Sequence, residues 1–308
     1  MTNQGLRLLV GDNPFHGISH LSQERARVRS SEENTDCTQQ ATRLVELSLQ
    51  NGADGFLFSV DDTTLSIIRN LNHNPIIGNA ELYAIAPYAY EYVRKSTLTG
   101  GVSGLAKSLA KEMVFSSNAK VLAANLGGLL RFNLSALLKT YVAYELSRIK
   151  SASGGRLPLK SFMLHEIVTD MALALNMEGL FKSYIKFVDS YHVRPGLETR
   201  NFPYLVAKFK EWQIDFSKLT LMSSFNKVGF QMCPTKEECE DALEQVKDAE
   251  VIAMSVLAAG YLKPEDAIGY LANLDGISGL VIGVSKERQA LETFRVFERG
   301  IITAKLSS

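Results

Sequence analysis

Short apolar runs alternate with amphipathic stretches along nearly the whole chain, and that alternation limits the fold more than any other feature. Runs of β-branched or apolar residues closed by Gly, Asn, Ser or Pro occur at Leu6–Val10, Gly55–Val60, Leu82–Ala86, Val121–Asn125 and Phe162–Glu166. Others follow at Val193–Thr199, Leu219–Asn226, Val251–Leu257 and Leu280–Val284, and the gaps carry helical periodicity. Parallel strands need crossovers of this kind, so the pattern predicts a (β/α)8 barrel formed by one domain spanning residues 1–308. Nine strand candidates exceed the eight of a closed barrel. Either one of Leu82–Ala86 and Val121–Asn125 lies outside it, or the last run is an accessory. A doubly wound sheet is the alternative, but Val10-Gly11-Asp12-Asn13-Pro14 stands where its glycine-rich phosphate turn would be.

Helix ends are marked in the sequence. Thr35 or Asp36 can cap a helix that buries Ala41, Leu44 and Val45 and stops at Asn51-Gly52. Thr235 and Glu238 read as a capping box, and Pro264 suits a first helical turn. Ser285 is placed to cap a last helix with Leu291, Phe294 and Phe297 on its buried stripe. The polar run from Ser22 to Asp36 follows the first strand and could serve as a lid over a barrel mouth or as a solvated loop.

Composition removes several functions. The 308 residues are 46% hydrophobic, enough for one large core, and 33 basic residues balance 33 acidic ones. No global field then draws the chain to nucleic acid or an anionic membrane, so a small anionic ligand must be held locally. Residues 1–7 lack the basic start and apolar run of a signal peptide, and the longest apolar stretch, Val251 to Leu262, is too short for a bilayer span. A cytoplasmic protein is expected. Cys37, Cys233 and Cys239 have neither the count nor the spacing of a disulfide framework or zinc site, and Cys239 shares a helical face with Ala242, Leu243 and Val246.

In a barrel, polar residues at the C-terminal ends of strands converge on one mouth. The candidates are Asp12, Asn13, His16 and His20 after the first strand, Asp61 and Asp62 after the second, and Asn125. His165 and Glu166, Glu198 and Arg200, Asn226 and Lys227, and Ser255 follow. His165 leads as an acid/base because an imidazole exchanges protons near neutrality, with Glu166, Glu198, Asn226 and Lys227 as the other catalytic candidates. Neighbouring strand residues face opposite ways, so Glu166 reaches the site only if the strand has already ended. Lys227 could form a Schiff base or be an ordinary surface lysine. Arg194 and Arg200 can grip a carboxylate or phosphate, or pair with Glu198. His16 and His20, with His165 and either Glu166 or Asp61, would make a metal-dependent hydrolase; ordinary loop histidines are the plainer reading. At Gly283-Val284-Ser285-Lys286-Glu287-Arg288 a strand end meets a helix start, so amides, a hydroxyl and two cations can surround an anion.

Three of these stretches resemble the aldo-keto reductase superfamily. Val251 to Leu262 is similar to its penultimate strand and loop, Ile282 to Arg288 to its nucleotide-binding turn, and Met163-Leu164-His165 to the strand ending in its catalytic histidine. The resemblance implies a barrel, with NADP as a possible cofactor held by Ser255, Gly283, Ser285, Lys286 and Arg288. It also implies an aspartate ending strand two, a tyrosine soon after and a lysine ending strand three. The chain instead has Asp61-Asp62 with no tyrosine nearby, and Leu82-Tyr83-Ala84-Ile85-Ala86-Pro87. Tyr83, Tyr88, Tyr90 and Tyr92 are the substitutes within reach. The sequence thus leaves four readings: lyase or isomerase proton transfer, oxidoreduction, metal-dependent hydrolysis, and a barrel that binds without catalysis.

Overall fold

The computed structural model describes residues 6–16, 35–77, 80–87 and 134–307. Eight parallel strands hydrogen-bond in sequence order and close on themselves. They are β1 (Arg7–Gly11), β2 (Gly55–Ser59), β3 (Glu81–Ala86), β4 (Leu159–Leu164), β5 (Arg194–Glu198), β6 (Thr220–Ser224), β7 (Glu250–Met254) and β8 (Ile277–Gly283). The helices are α1 (Thr35–Gln50), α2 (Asp62–His73), α3 (Leu134–Ser153), α4 (Glu166–Ala174), α5 (Glu178–Asp189), α6 (Phe202–Glu211), α7 (Lys236–Leu243), α8 (Pro264–Ala272) and α9 (Glu287–Ser307). The expected single (β/α)8 barrel is therefore present, and both Leu82–Ala86 and Leu280–Val284 contribute staves. Val121–Asn125 lies outside the described residues, as do Asn125, His20, Tyr88, Tyr90, Tyr92 and the polar run up to residue 34. Among the described residues no helix is long and apolar enough to cross a membrane.

Alternation along the strands separates two cores. Outward residues such as Phe56, Phe58, Phe162 and Leu221 pack beneath the helices. Inward residues Leu9, Leu57, Tyr83, Ile85, Met163, Met222, Ile252 and Met254 fill the barrel, with Val281 against them. Gly196 is required by this filling, because a Cβ there would lie 2.2 Å from Met163 Cγ.

The helices follow the sequence with four differences, the first being that α1 already contains Thr35 and Asp36, so neither stands before it as a cap. Thr235 caps α7 by accepting from the Glu238 amide (3.2 Å), but Glu238 answers the Thr235 hydroxyl (3.1 Å) rather than closing a capping box on its amide. Ser285 does not cap α9; its amide and hydroxyl both donate to Gln289 Oε1, at 2.9 and 3.2 Å. Leu291 is 42% exposed, since the buried stripe of α9 runs through Ala290, Phe294, Phe297 and Ile301, about a hundred degrees around the helix from it. Cys239 is buried with Ala242, Leu243 and Val246, and all three cysteines are free thiols.

The two ends of the barrel differ in charge arrangement. At the N-terminal floor, Arg7 pairs with Glu81 and lies 3.9 Å from Glu250, while Arg194 Nε lies 3.6 Å from Glu250 and Lys160 3.2 Å from Glu81. Glu250 also accepts from Tyr83 Oη (3.0 Å) and Thr220 Oγ1 (2.7 Å). Cations and carboxylates there alternate along a chain from Lys160 through Glu81, Arg7 and Glu250 to Arg194.

Candidate active site at the barrel mouth

β4 ends at Leu164, so His165 and Glu166 leave regular strand together and both can turn to the mouth. His165 is the N-cap of α4, and its Nδ1 accepts from the Ile167 amide at 3.2 Å. An imidazole nitrogen that accepts carries no proton, so in neutral His165 the hydrogen sits on Nε2, which becomes a donor. Burial holds the imidazole below its ordinary range; Glu166 opposes this and Arg200 adds to it. The positive end of α4 acts in the same direction as burial. His165 is thereby a neutral hydrogen-bond donor near pH 7.

Glu198 closes β5 and is 7% exposed. Its Oε2 accepts one hydrogen bond, from the Glu166 amide at 3.2 Å. Burial, with Glu166 and Asp12 nearby, raises its carboxyl to about 8, against that amide bond and the charge of Arg200. Glu166 is ion-paired to Arg200 Nε, which leaves Glu198 without a cation of its own among the described residues. Asp12 is buried and accepts from the Ser59 amide at 2.7 Å.

Arg200 is fixed from both sides. Asp170 accepts from Thr199 Oγ1 and from the Arg200 amide (3.0 Å), and Arg200 Nη1 donates to Gln231 Oε1. Ser255 Oγ donates to the same oxygen (3.2 Å) and receives Ser224 Oγ (3.2 Å). One chain of contacts thus joins the ends of β4, β5, β6 and β7. Arg194, expected to act with Arg200, lies instead on the floor, because a five-residue strand separates the two.

The remaining candidates lie apart. Asn226 is buried with its amide spent on its own loop, donating to Phe230 O and accepting from Phe230 N, both at 2.8 Å. Lys227 is half exposed and pairs with Asp266 (2.8 Å). Asp61 Oδ1 caps α2 by accepting from the Thr64 amide (2.8 Å). Tyr83, the one tyrosine substitute among the described residues, points to the floor and cannot donate at the mouth. Gly283 ends β8 beside Gly11, with Pro14 2.9 Å from where its Cβ would be. Lys286 and Arg288 are exposed on the rim, Arg288 with Glu292 at 3.1 Å. Gln231 was missed by sequence reading, since nothing local marks a glutamine five residues past Asn226 as reaching β5. An open groove of about 310 Å³, lined by Lys182, Lys186, Gln213 and Lys218 among others, lies outside the barrel beside the start of β5, away from this chemistry.

Solved structures share this architecture. The chain superimposes on a presumed aldo-keto reductase of Pseudomonas aeruginosa with a TM-score of 0.56 and 9% identity, covering 96% of this chain and 90% of that one. A glycerol dehydrogenase of Gluconobacter oxydans gives 0.53 and 10%, covering 100% and 96%. The chain shares the closed (β/α)8 barrel of these structures. At such identities the likeness is one of fold, and the residues at the mouth speak for themselves. No family model matches the sequence, and no curated protein does.

Proposed function

We propose that this barrel is an enzyme that moves a proton at a carbon next to a carbonyl group of a small polar ligand, a lyase- or isomerase-type reaction. One observation carries the reading: a buried carboxyl with its affinity for protons raised, Glu198, shares the mouth with a neutral imidazole whose free nitrogen bears the hydrogen. The ionised form of such a carboxyl is a stronger base than an ordinary carboxylate, and about a tenth of it is ionised one unit below its midpoint. Glu198 takes the proton, the C–H electrons form a carbon–carbon double bond, and the carbonyl electrons move to oxygen. His165 Nε2–H stabilises that oxygen by hydrogen bonding, as a neutral donor at a helix N-terminus can. Where the reacting carbon carries a hydroxyl, the hydroxyl proton passes to the former carbonyl oxygen and the proton on Glu198 returns to the former carbonyl carbon, which completes an isomerisation; return to the original carbon gives exchange. His165 thus acts as the donor and Glu198 as the proton carrier.

Oxidoreduction is favoured by a different observation, the position of the Ser285 to Arg288 turn directly after β8 on the mouth rim. Lys286 and Arg288 offer charge to a phosphate of NADP, with Gln289 having to release the Ser285 amide and hydroxyl. NADP supplies hydride chemistry when bound, and Glu198 would hold the proton for the carbonyl oxygen.

The two readings separate in one experiment. Small carbonyl compounds, including 2-oxo acids and sugar phosphates, are incubated with the protein in deuterium oxide and followed by NMR. Incorporation beside the carbonyl that Glu198→Gln slows about a hundredfold or more supports proton transfer. Incorporation indifferent to Glu198→Gln, or none with any compound, defeats it, and NADPH consumption with the same panel supports the reductase.

A further inference from the structure

The mouth holds two nitrogen groups that the chemistry above leaves idle. Arg200 uses Nε on Glu166 and Nη1 on Gln231, and Nη2 has no hydrogen-bond partner among the described residues. Gln231 Oε1 accepts from Arg200 and from Ser255, and its Nε2 likewise has no partner among them. Because arginine can only donate, the amide must turn its oxygen towards Arg200 and its NH₂ away.

Both side chains are partly exposed and held by their neighbours. Arg200 has 29% of its side chain exposed, and its main chain is clamped by Asp170. Gln231 has a φ of 60° and Ser255, which bonds to it, a φ of 55°. Non-glycine residues adopt that region rarely and keep it where their surroundings hold them, which is common at ligand sites. Here two such residues are bonded to each other, with Ser224 behind them.

With the Arg200 Nη1 to Gln231 Oε1 contact between them, the guanidinium Nη2 and the amide NH₂ are two donor groups joined through one contact, suited to the oxygens of a carboxylate. The rim turn is less prepared for an anion, because Ser285 already donates twice to Gln289 and Arg288 is 84% exposed. We propose that Arg200 Nη2 and Gln231 Nε2 form a carboxylate subsite, and that the substrate is a small 2-oxo acid whose carbon next to the carbonyl stands at Glu198. This rests on the proton-transfer reading of the same mouth. The carboxylate stays on Arg200 and Gln231 while the proton passes to Glu198 and back, and no oxidant or reductant is needed.

The test is calorimetric titration of the full chain with oxalate at neutral pH. Arg200→Lys keeps the charge beside Glu166 but loses the fork, and Gln231→Leu removes the amide; each is expected to weaken oxalate roughly tenfold or more. Circular dichroism and the unfolding midpoint confirm that both variants fold. The double variant Lys286→Ala, Arg288→Ala should bind as the parent does. Absence of oxalate binding, binding indifferent to both Arg200→Lys and Gln231→Leu, or binding lost with the rim pair overturns the subsite. The two proposals fail separately. Oxalate binding as expected, with proton exchange indifferent to Glu198→Gln, leaves the subsite standing without the proton-transfer reading. Exchange that needs Glu198, with oxalate indifferent to both subsite variants, does the reverse.

Discussion

The floor and the mouth of this barrel are built from the same residue types and behave in opposite ways. At the floor Glu250 meets Arg7, Arg194, Tyr83 and Thr220, and Glu81 meets Arg7 and Lys160. The charges there are linked to one another, and the chain of contacts ties β1, β3, β4, β5, β6 and β7 together. At the mouth, among the described residues, Arg200 is committed to Glu166 and Gln231, and Glu198 is left with a single amide. A carboxyl answered by cations stays ionised and holds a fold together, whereas one answered by an amide alone keeps its proton and can pass it on.

Breaking the floor should give the largest loss of stability. Glu250→Ala leaves Arg7 and Arg194 facing each other without their shared carboxylate, and a loss of about 3 kcal/mol is expected in denaturant unfolding. Oxalate binding at the other end should survive in the fraction that folds.

The mouth should respond with the opposite sign. Glu198 has a raised folded value, so its contribution is fully present below about 4.5 and is lost as pH rises through about 8. Glu198→Gln keeps the shape without the ionisation, and so should unfold within about 1 kcal/mol of the parent at pH 5 and be more stable by about 4 kcal/mol at pH 8. Parallel unfolding curves at the two pH values check this.

His165 gives a smaller effect in the other direction of pH. Its folded value is lowered, so its contribution is present above the unfolded 6.5 and fades on acidification. Asparagine also caps helices, so His165→Asn should stay within about 1 kcal/mol of the parent at pH 7.5 and lose that acid sensitivity. Smallest of all, Lys227→Ala should shift neither the unfolding midpoint nor proton exchange, because its pair with Asp266 is solvent-exposed.

How much of this was legible in the sequence divides along the same axis. Strands such as Gly55–Ser59, buried at every position, appear as unbroken apolar runs, and Cys239 with Val246 showed its helical face directly. His165, Glu166 and Glu198 were found because the ends of barrel strands can be located from the runs that precede them. Their roles were not, since the cap that fixes the His165 tautomer and the burial that holds the Glu198 proton are properties of the packed mouth. The partnerships were hidden for a related reason. Arg7 and Glu81 are 74 positions apart and Tyr83 and Glu250 are 167 apart, distances that only barrel closure brings to contact. Arg194 and Arg200 look like one cationic motif in sequence and belong to opposite ends of the barrel.

The central claim is that Glu198 carries a proton at neutral pH, and difference infrared spectroscopy of the parent against Glu198→Gln reads that proton directly. A protonated-carboxyl band is expected at pH 7 that is missing from the variant and titrates away with a midpoint near 8. A parent that already shows Glu198 as carboxylate at pH 6 would contradict it, and would make the mouth, like the floor, a place where charge serves only the fold.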